Sequence, residues 1–313
     1  MIETQNLSKR YGRIQAVDDV SFRVEPGQVL GFLGPNGAGK STTMKMIAGF
    51  LTPSSGSAKV CGFDVREQSI QARRELGYLS EGAPSYGEMT VWGFLNFIAD
   101  ARGLQGAQRR ERLDDAVGRL QLGGVLMQVI DTLSKGFRRR VGLAQAILHD
   151  PRVLILDEPT DGLDPNQKHE VRSLIQSMAA QRTIVISTHI LEEVNAVCSR
   201  AIIIASGRVL ADSTPAELEA RSRYHGAVSL TTPEPLAVRD GLLRVEGVAQ
   251  VEIDAQDGRI TAFPRAGQKI FEQVGEFLRS QSVPVSEVQL ERGRLDEVFR
   301  NITQAAQPAK EAA

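Results

Sequence analysis

The sequence predicts an α/β protein with a mixed sheet core, a helical subdomain and a small α+β domain at its C-terminal end. Three observations support this fold class. A glycine-rich loop lies between an apolar strand and a helix, two later apolar strands end in acidic residues or a histidine, and the last third alternates short strands with amphipathic helices. We expect the large domain over residues 1–221, its helical subdomain at about 88–150, the small domain over 222–302 and a disordered tail over 303–313.

The composition narrows the classes of function. The formal net charge is -1, so the chain has no basic excess with which to bind nucleic acid. No apolar run approaches the ~20 residues that a membrane span needs, and the N-terminal residues lack the pattern of a signal peptide. Cys61 and Cys198 are too far apart for a metal or redox motif. These features favour a cytoplasmic protein with reduced cysteines.

Residues 1–33 are predicted to form strands joined by turns, and the last of these strands leads into the glycine-rich loop. A helix is expected over 42–50. The loop matches G-x-x-x-x-G-K-[ST] and consists of Gly34, Pro35, Asn36, Gly37, Ala38, Gly39, Lys40 and Ser41, with Thr42 next. In this context the pattern predicts a P-loop NTPase, because backbone N–H groups and a helix N-terminus can hold phosphates. Lys40 is expected to reach the β- and γ-phosphates, and Ser41 to bind Mg²⁺.

An aromatic side chain, Tyr11, is predicted to lie in a turn upstream of this loop. A surface tyrosine by itself indicates nothing. Its flat ring suits a purine, however, and the phosphate-binding loop that follows favours adenine stacking.

The middle of the chain is predicted to be helical between two strands. A short strand at 76–79 leads to a loop that contains Glu81, and apolar spacing of three and four residues begins near Thr90. Trp92, Phe94 and Phe97 could form core or a docking surface. Farther on, Ser134 has the chemistry of a helix N-cap, and with Lys135 and Gly136 it opens a helix predicted over 138–148. This helix tip is a second candidate anion site.

Two apolar strands end in residues that carry catalytic chemistry. The run at 153–156 stops at Asp157 and Glu158, and the run at 183–188 stops at His189. In parallel sheets ligands bind at the carboxyl ends of the strands, so these side chains are expected beside the glycine-rich loop. We expect Asp157 to hold Mg²⁺, Glu158 to deprotonate the attacking water, and His189 to contact the γ-phosphate or that water.

The last predicted strand of the large domain covers 201–205, and a helix over 215–223 leads into the small domain. That domain is predicted to contain strands at 226–231 and 248–253, with a hairpin turn at 255–258. A helix near 270–278, another strand and a final helix from Leu295 follow. None of these elements carries a recognisable reactive group.

Together, in this order, the motifs resemble the ATP-binding subunit of ABC transporters over residues 2–220. The glycine-rich loop resembles Walker A, 133–137 the signature sequence, 153–157 Walker B and 162–164 the D-loop. The resemblance places Glu158 as the catalytic glutamate and His189 as the switch histidine, with Lys40 also catalytic. The nucleotide-binding residues that it implies beyond the loop are Tyr11, Val17, Thr42, Glu81, Ser134, Lys135, Gly136, Asp157 and Asp164. The metal ligands that it implies are Ser41, Glu81 and Asp157.

The chain departs from the family pattern at a few positions. Glu81 replaces the usual glutamine, Lys135 a glycine, Phe137 a glutamine, and Asp161 a small serine. Glu81 and the run 295–299, Leu-Asp-Glu-Val-Phe, resemble the group of multidrug, polysaccharide and gliding-motility exporters.

The resemblance implies an ABC cassette that binds ATP and Mg²⁺ and hydrolyses ATP. It further implies a dimer with a second copy or a paralogous cassette, and an integral membrane permease that holds the cassette at the inner face of the cell membrane. One alternative is a soluble ABC ATPase that acts on DNA or ribosomes, but the chain has neither a second cassette nor a long coiled coil. Another is a GTP switch, but no Asn-Lys-x-Asp tetrapeptide is present.

Overall fold

The computed structural model describes residues 1–305. Its contacts divide the described chain into one unit of Met1–Ser213 together with 302–305, and a second unit of Thr214–Asn301. The division precedes the short helix Pro215–Glu219, whereas we expected it near 221. The helix belongs to the second unit because the backbone of Gly293 packs closely against its last residue, Glu219.

The first unit contains an antiparallel sheet and a mixed sheet. Their orders are β2-β1-β4-β5 and β10-β9-β3-β8-β7-β6, in which only the edge strand β10 of the mixed sheet is antiparallel to its neighbour. The mixed sheet core is therefore confirmed. The strands are β1 (Ile2–Tyr11), β2 (Ile14–Val24), β3 (Val29–Leu33), β4 (Ser55–Val60), β5 (Phe63–Asp64), β6 (Leu76–Leu79), β7 (Val153–Asp157), β8 (Thr183–Thr188), β9 (Arg200–Ala205) and β10 (Arg208–Ser213).

Helices flank these sheets and form the inserted subdomain between β6 and β7. Short 3₁₀ segments occupy Gly123–Val125 and Ile130–Thr132. The helices are α1 (Lys40–Ile47), α2 (Ser69–Arg74), α3 (Val91–Ala101), α4 (Gly106–Arg119), α5 (Lys135–Ile147), α6 (Pro165–Ala179) and α7 (Leu191–Val197). Sequence patterns missed α2 and β10, because α2 is short and mostly exposed and β10 has one buried residue and no regular alternation of burial.

Burial fixes where the site forms. Strands β3, β7 and β8 are buried along their whole length, and Phe22 packs on Phe32 with ring centroids 5.5 Å apart. Because these strands are parallel neighbours, their carboxyl ends lie at one edge of the sheet. The loops after β3, β7 and β8 therefore meet at that edge.

The second unit is an antiparallel sheet with helices. Its sheet order is β12-β13-β11-β14, and the predicted hairpin joins β12 to β13. The elements are α8 (Pro215–Glu219), β11 (Val228–Thr231), α9 (Pro235–Leu242), β12 (Val248–Ile253), β13 (Ile260–Pro264), α10 (Phe271–Ser280), β14 (Glu287–Leu290) and α11 (Leu295–Ala305), which belongs to this unit up to Asn301.

The final helix, α11, extends through Ala305, so the expectation of a disordered tail from 303 is wrong for residues 303–305. The apolar residues Leu295, Val298 and Ile302 keep helical spacing, and the residues that follow do not interrupt it. The rest of the predicted tail, 306–313, lies outside the described residues. Within residues 1–305, no helix combines the length and apolar character that crossing a bilayer requires.

A buried histidine, His149, follows α5 and gives the first unit a pH dependence. Its Nε2 lies 3.1 Å from the Leu76 carbonyl oxygen, and its Nδ1 is buried without a hydrogen-bond partner in residues 1–305. Burial, reinforced by the charge of Arg102, lowers the pKa of His149 to about 4. The imidazole is therefore neutral in the folded state at physiological pH.

We expect His149 to destabilise the first unit as the pH falls from about 6.5 towards 4. In that window the unfolded chain binds a proton that the folded chain excludes, so the free energy of unfolding decreases with falling pH. Between pH 7.5 and pH 5 the loss attributable to this group is about 2 kcal/mol. Urea unfolding of the parent and of His149→Gln at both pH values isolates it, since the other groups are common to both proteins. Equal losses in the two proteins would contradict the assignment.

Candidate nucleotide-binding site

The glycine-rich loop connects β3 to α1 and is shaped by two left-handed glycines. Gly37 has φ +80°, and Gly39, the N-cap of α1, has φ +103°. A Cβ on Gly39 would lie 2.6 Å from the Ala16 carbonyl oxygen, so both the backbone angle and the space require glycine. The turn is closed by the Ala38 N–H, which donates to the Pro35 carbonyl at 3.1 Å. The confirmed strand–loop–helix context leaves the helix N-terminus facing the loop.

The Lys40 ammonium is buried inside this loop. Nζ donates to the carbonyls of Gly34 at 2.7 Å and Pro35 at 3.3 Å, and lies 3.9 Å from Glu158 Oε1. Burial lowers the pKa of Lys40, and the nearby charges of Glu158, Asp157 and Glu81 oppose that shift. Neutral carbonyls are weaker partners for an ammonium than phosphate oxygens, so Lys40 can exchange them for a bound phosphate.

The Asp157 carboxylate ends β7 with no exposed surface. Its Oδ1 accepts from the Ser187 hydroxyl and from Ser41 Oγ at 3.3 Å, whereas Oδ2 is buried and has no hydrogen-bond partner in residues 1–305. An orphaned carboxylate oxygen beside a serine hydroxyl suits Mg²⁺. This ion binds one or two protein oxygens and takes its other ligands from water and phosphates. The described residues contain no group of three or more acidic, histidine or cysteine side chains that could hold a metal ion.

Glu81 is placed less directly. It is exposed in the loop after β6, and its charge acts on Lys40. A role as a metal ligand stays a prediction.

Glu158 and His189 lie together at the same edge. His189 Nδ1 is 2.9 Å from Glu158 Oε2, and the Glu158 N–H donates to the Ser187 carbonyl at 3.0 Å. Glu158 has φ +51°, a left-handed conformation that is uncommon for a residue with a side chain and is typical of functional sites. The strained backbone holds the carboxylate over the loop, while the His189 side chain is 52% exposed and faces the open side.

Two supporting residues were missed by the sequence analysis. Ser187 orients Asp157, as described above, and Glu193 accepts a hydrogen bond of 2.7 Å from Thr188 Oγ1. The same Thr188 oxygen accepts from the Ile190 N–H at 3.0 Å, which fixes the chain on both sides of His189. Glu193 is buried, and burial raises its pKa. No local motif marks either residue, because each acts across a turn or between strands.

The candidate second anion site is the tip of α5. Ser134 caps it, as predicted, by accepting from the Phe137 N–H at 3.3 Å. A Cβ on Gly136 would collide with the Gln167 side chain, so this tip packs against the start of α6. Asp164 is the N-cap of α6 and accepts from the Gln167 N–H at 2.9 Å. Through Gln167, the α5 tip is thus connected to Asp164, the last residue of the loop that follows Glu158.

Tyr11 and Val17 differ in what they can contact. Tyr11 ends β1, pairs with Ile14 across the hairpin and is 47% exposed, with the Lys9 ammonium 5.2 Å from the centroid of its ring. Stacking of this ring on a base stays a prediction. The hairpin reaches the glycine-rich loop two residues (~7 Å) beyond Ile14, where Ala16 meets Gly39. Val17 has no exposed surface and packs beneath Gly39. Its side chain supports the loop, and direct contact with the nucleotide stays a prediction.

Comparison with known proteins shows which family this chain resembles. A family model described as ABC transporter matches residues 17–161. The probable multidrug ABC transporter ATP-binding protein YbhF of Escherichia coli (strain K12) is 39% identical over 223 residues, which are 71% of this chain and 38% of that protein. The Nod factor export ATP-binding protein I of Paraburkholderia xenovorans (strain LB400) is 35% identical over 242 residues, 77% of this chain and 80% of that protein.

A solved structure described as the ATP binding subunit of an ABC transporter matches with a TM-score of 0.66 and 32% identity, over 71% of this chain and 92% of that one. This chain thus spans little more than a third of YbhF but most of the Nod factor export protein. The fold, the loop with its paired acids and these relatives lead to one conclusion. The chain belongs to the ABC transporter family and contains its ATP-binding cassette.

Proposed function

We propose that this chain hydrolyses ATP as half of a closed dimer and that hydrolysis drives export through a separate membrane protein. The observation that carries the proposal is the position of the Glu158 carboxylate. It lies 3.9 Å from the phosphate-binding lysine and 2.9 Å from His189, at the mouth of the glycine-rich loop. A general base beside a triphosphate site is what hydrolysis requires.

Each group of site residues has a separate role in binding or hydrolysing ATP. N–H groups of the loop and Lys40 hold the β- and γ-phosphates, and Tyr11 stacks on the base. Ser41 and Asp157, with Glu81 nearby, would hold Mg²⁺, which neutralises charge on the phosphates when it is bound. Glu158 takes the proton of the attacking water, and His189 holds that water or the γ-phosphate in line.

One chain supplies only part of the surroundings of a nucleotide. The α5 tip packs against Gln167 of α6 and, through Lys135, contacts Asp161 in the loop after Glu158 of its own chain. The family resemblance implies that this tip covers the nucleotide of a second cassette. We therefore propose a head-to-tail dimer with two ATP molecules, each between the glycine-rich loop of one copy and Ser134, Lys135 and Gly136 of the other.

The proposal of an exporter rests on the names of the relatives and on a surface of the helical subdomain. Exposed apolar side chains cluster near the Glu81 loop, where the Tyr86 and Phe97 rings meet edge to face at 5.3 Å. An apolar patch of this kind marks a protein interface. The exposed members are Tyr86, Trp92, Phe97, Met127 and Val129. We propose that a permease binds here and holds the chain at the cytoplasmic face of the membrane.

Phosphate release by the purified chain tests the enzymatic part. We expect release from ATP that depends on Mg²⁺ and stops with EDTA. Absence of release, or a preference for GTP, would contradict the proposal.

Substitutions in the patch test the exporter part in the native cell. Trp92→Ser with Phe97→Ser should shift the chain from the membrane fraction to the soluble fraction. The matched control, Ile70→Ser, removes an apolar side chain that is 65% exposed on α2 and should not do so. A parent chain that stays with ribosomes or DNA would favour the soluble ABC ATPase instead.

A further inference from the structure

Two departures from the family pattern, Lys135 and Asp161, contact each other. Lys135 Nζ donates to Asp161 Oδ2 at 3.0 Å, and this hydrogen bond lowers the pKa of the Asp161 carboxyl group. The lysine side chain lies directly over Gly162, where a Cβ would collide with it. Gly162 has φ +70°, a left-handed conformation that favours glycine. The structure thus seats Lys135 on the loop that follows Glu158.

A second cation, Arg139, lies behind the same carboxylate. It is one turn along α5, only 3% exposed, and its Nη2 is 3.9 Å from Asp161 Oδ2. Its Nη1 has no hydrogen-bond partner in residues 1–305. A buried guanidinium needs a nearby negative charge, so Arg139 keeps Asp161 in place whether or not Lys135 is bound to it. Asp161, whose side chain is 49% exposed, thus has a second cationic neighbour, and Lys135, whose side chain is 60% exposed, is the partner that can leave.

We propose that Asp161 is an internal competitor for Lys135. In the open chain Asp161 holds Lys135, and in the closed dimer Lys135 binds phosphate oxygens of the nucleotide on the other copy. This inference rests on the proposed head-to-tail dimer. An exposed ion pair is weak, whereas a cation at a partly desolvated phosphate is strongly held, so the exchange can occur at modest nucleotide concentration. Asp161 thereby sets the ATP concentration at which two chains close.

The loop that carries the competitor also carries the proposed base. The Asp161 N–H donates to the Glu158 carbonyl at 3.2 Å, and the Leu163 N–H donates to the Thr160 carbonyl at 3.2 Å. The Asp161 carboxylate that competes for Lys135 is therefore carried one turn away from Glu158. In this role Lys135 is a binding residue for the other copy's phosphates, and Asp161 is a positioning residue.

The test measures the ATP concentration at half-maximal dimer formation by light scattering, in a Glu158→Gln background that stops turnover. Asp161→Asn frees Lys135 and should lower this concentration about threefold. Lys135→Met removes the phosphate contact and should raise it at least about threefold. These are the sizes expected for a weak surface pair and for a charge-assisted hydrogen bond. Lys135→Arg keeps the cation and should stay close to the parent.

The distinguishing result is that Asp161→Asn lowers the ATP concentration at half-maximal dimer formation whereas Lys135→Met raises it. A pair that merely stabilises the fold would shift both variants in the same direction, and that outcome overturns the competitor. Asp115→Asn breaks an exposed ion pair with Arg119 on α4 and controls for the lost negative charge. If the chain does not fold with Asp161→Asn because the buried Arg139 loses its negative neighbour, the comparison of Lys135→Met with Lys135→Arg still tests the proposal. Equal ATP concentrations at half-maximal dimer formation for these two variants would contradict the phosphate contact.

Different results would contradict the proposed dimer and the proposed competition between Asp161 and phosphate for Lys135. A Glu158→Gln parent that stays monomeric with ATP and Mg²⁺ contradicts the dimer, and the competitor with it. A parent that dimerises while Asp161→Asn and Lys135→Met shift together contradicts the competitor alone.

Discussion

Glu158→Gln is expected to reduce ATP turnover by at least about 10²-fold while the chain still binds ATP. The amide cannot accept the proton of the attacking water, but it keeps the shape of the side chain and can still meet His189. Lys40, Ser41 and Asp157 are untouched, so the triphosphate and Mg²⁺ are held as before. Because the γ-phosphate persists, the proposed dimer should accumulate rather than cycle.

Two measurements check this result. Phosphate release gives the loss of turnover, and light scattering with ATP and Mg²⁺ gives the accumulated dimer. Glu192→Gln is the matched control, since Glu192 is an exposed glutamate on α7 near the same edge. It should retain parental turnover. A Glu158→Gln protein that keeps more than about a tenth of the turnover would remove Glu158 from the role of base.

The sequence predicted the parts of the site that follow one another along the chain. The glycine-rich loop needs only residues 34–42, and Glu158 and His189 each terminate an apolar run, so strand order alone brings them together. Ser134 was predicted as an N-cap because capping is local.

Residues that act across space could not be predicted in this way. Ser187 on β8 donates a hydrogen bond to Asp157 on the neighbouring strand β7, and Arg139 on α5 lies near Asp161 in the loop after β7. Lys135 and Asp161 were interpreted as separate departures from the family pattern. They lie 26 residues apart in two different motifs, and neither motif predicts a contact with the other. Val17 was assigned by resemblance to the nucleotide, whereas its burial depends on the packing of the whole hairpin under the loop.

Local sequence patterns also predicted only some of the secondary-structure elements. Fully buried strands such as β7 and β8 are continuous apolar runs and were found. The edge strand β10 has only one fully buried residue, Ala211, and the short α2 buries only Ala72, so neither gives a clear pattern. In both cases neighbours in the tertiary structure, rather than local sequence, select the element.

Mixing two inactive variants is expected to restore ATP hydrolysis if the site is shared between chains. Lys40→Ala disables the glycine-rich loop, and Ser134→Arg disables the α5 tip with a bulky cation. In a dimer of the two variants, one site has both defects and the other has none. A 1:1 mixture should therefore recover up to about a quarter of the parental turnover per chain, since half of the dimers are mixed and each has one intact site.

The control separates this result from simple stabilisation of one variant by the other. Lys40→Ala mixed with Glu158→Gln places both defects on the loop side, so every site in every dimer is damaged and no turnover should return. Ser134→Arg also loses the N-cap of α5, which costs about 1 kcal/mol, so its thermal unfolding is measured alongside. By itself it should still bind ATP in isothermal titration, because Lys40, Ser41 and Asp157 of the same chain are intact. If the Lys40→Ala and Ser134→Arg mixture stays inactive while both variants are folded, each chain uses its own α5 tip or none, and the head-to-tail arrangement is wrong.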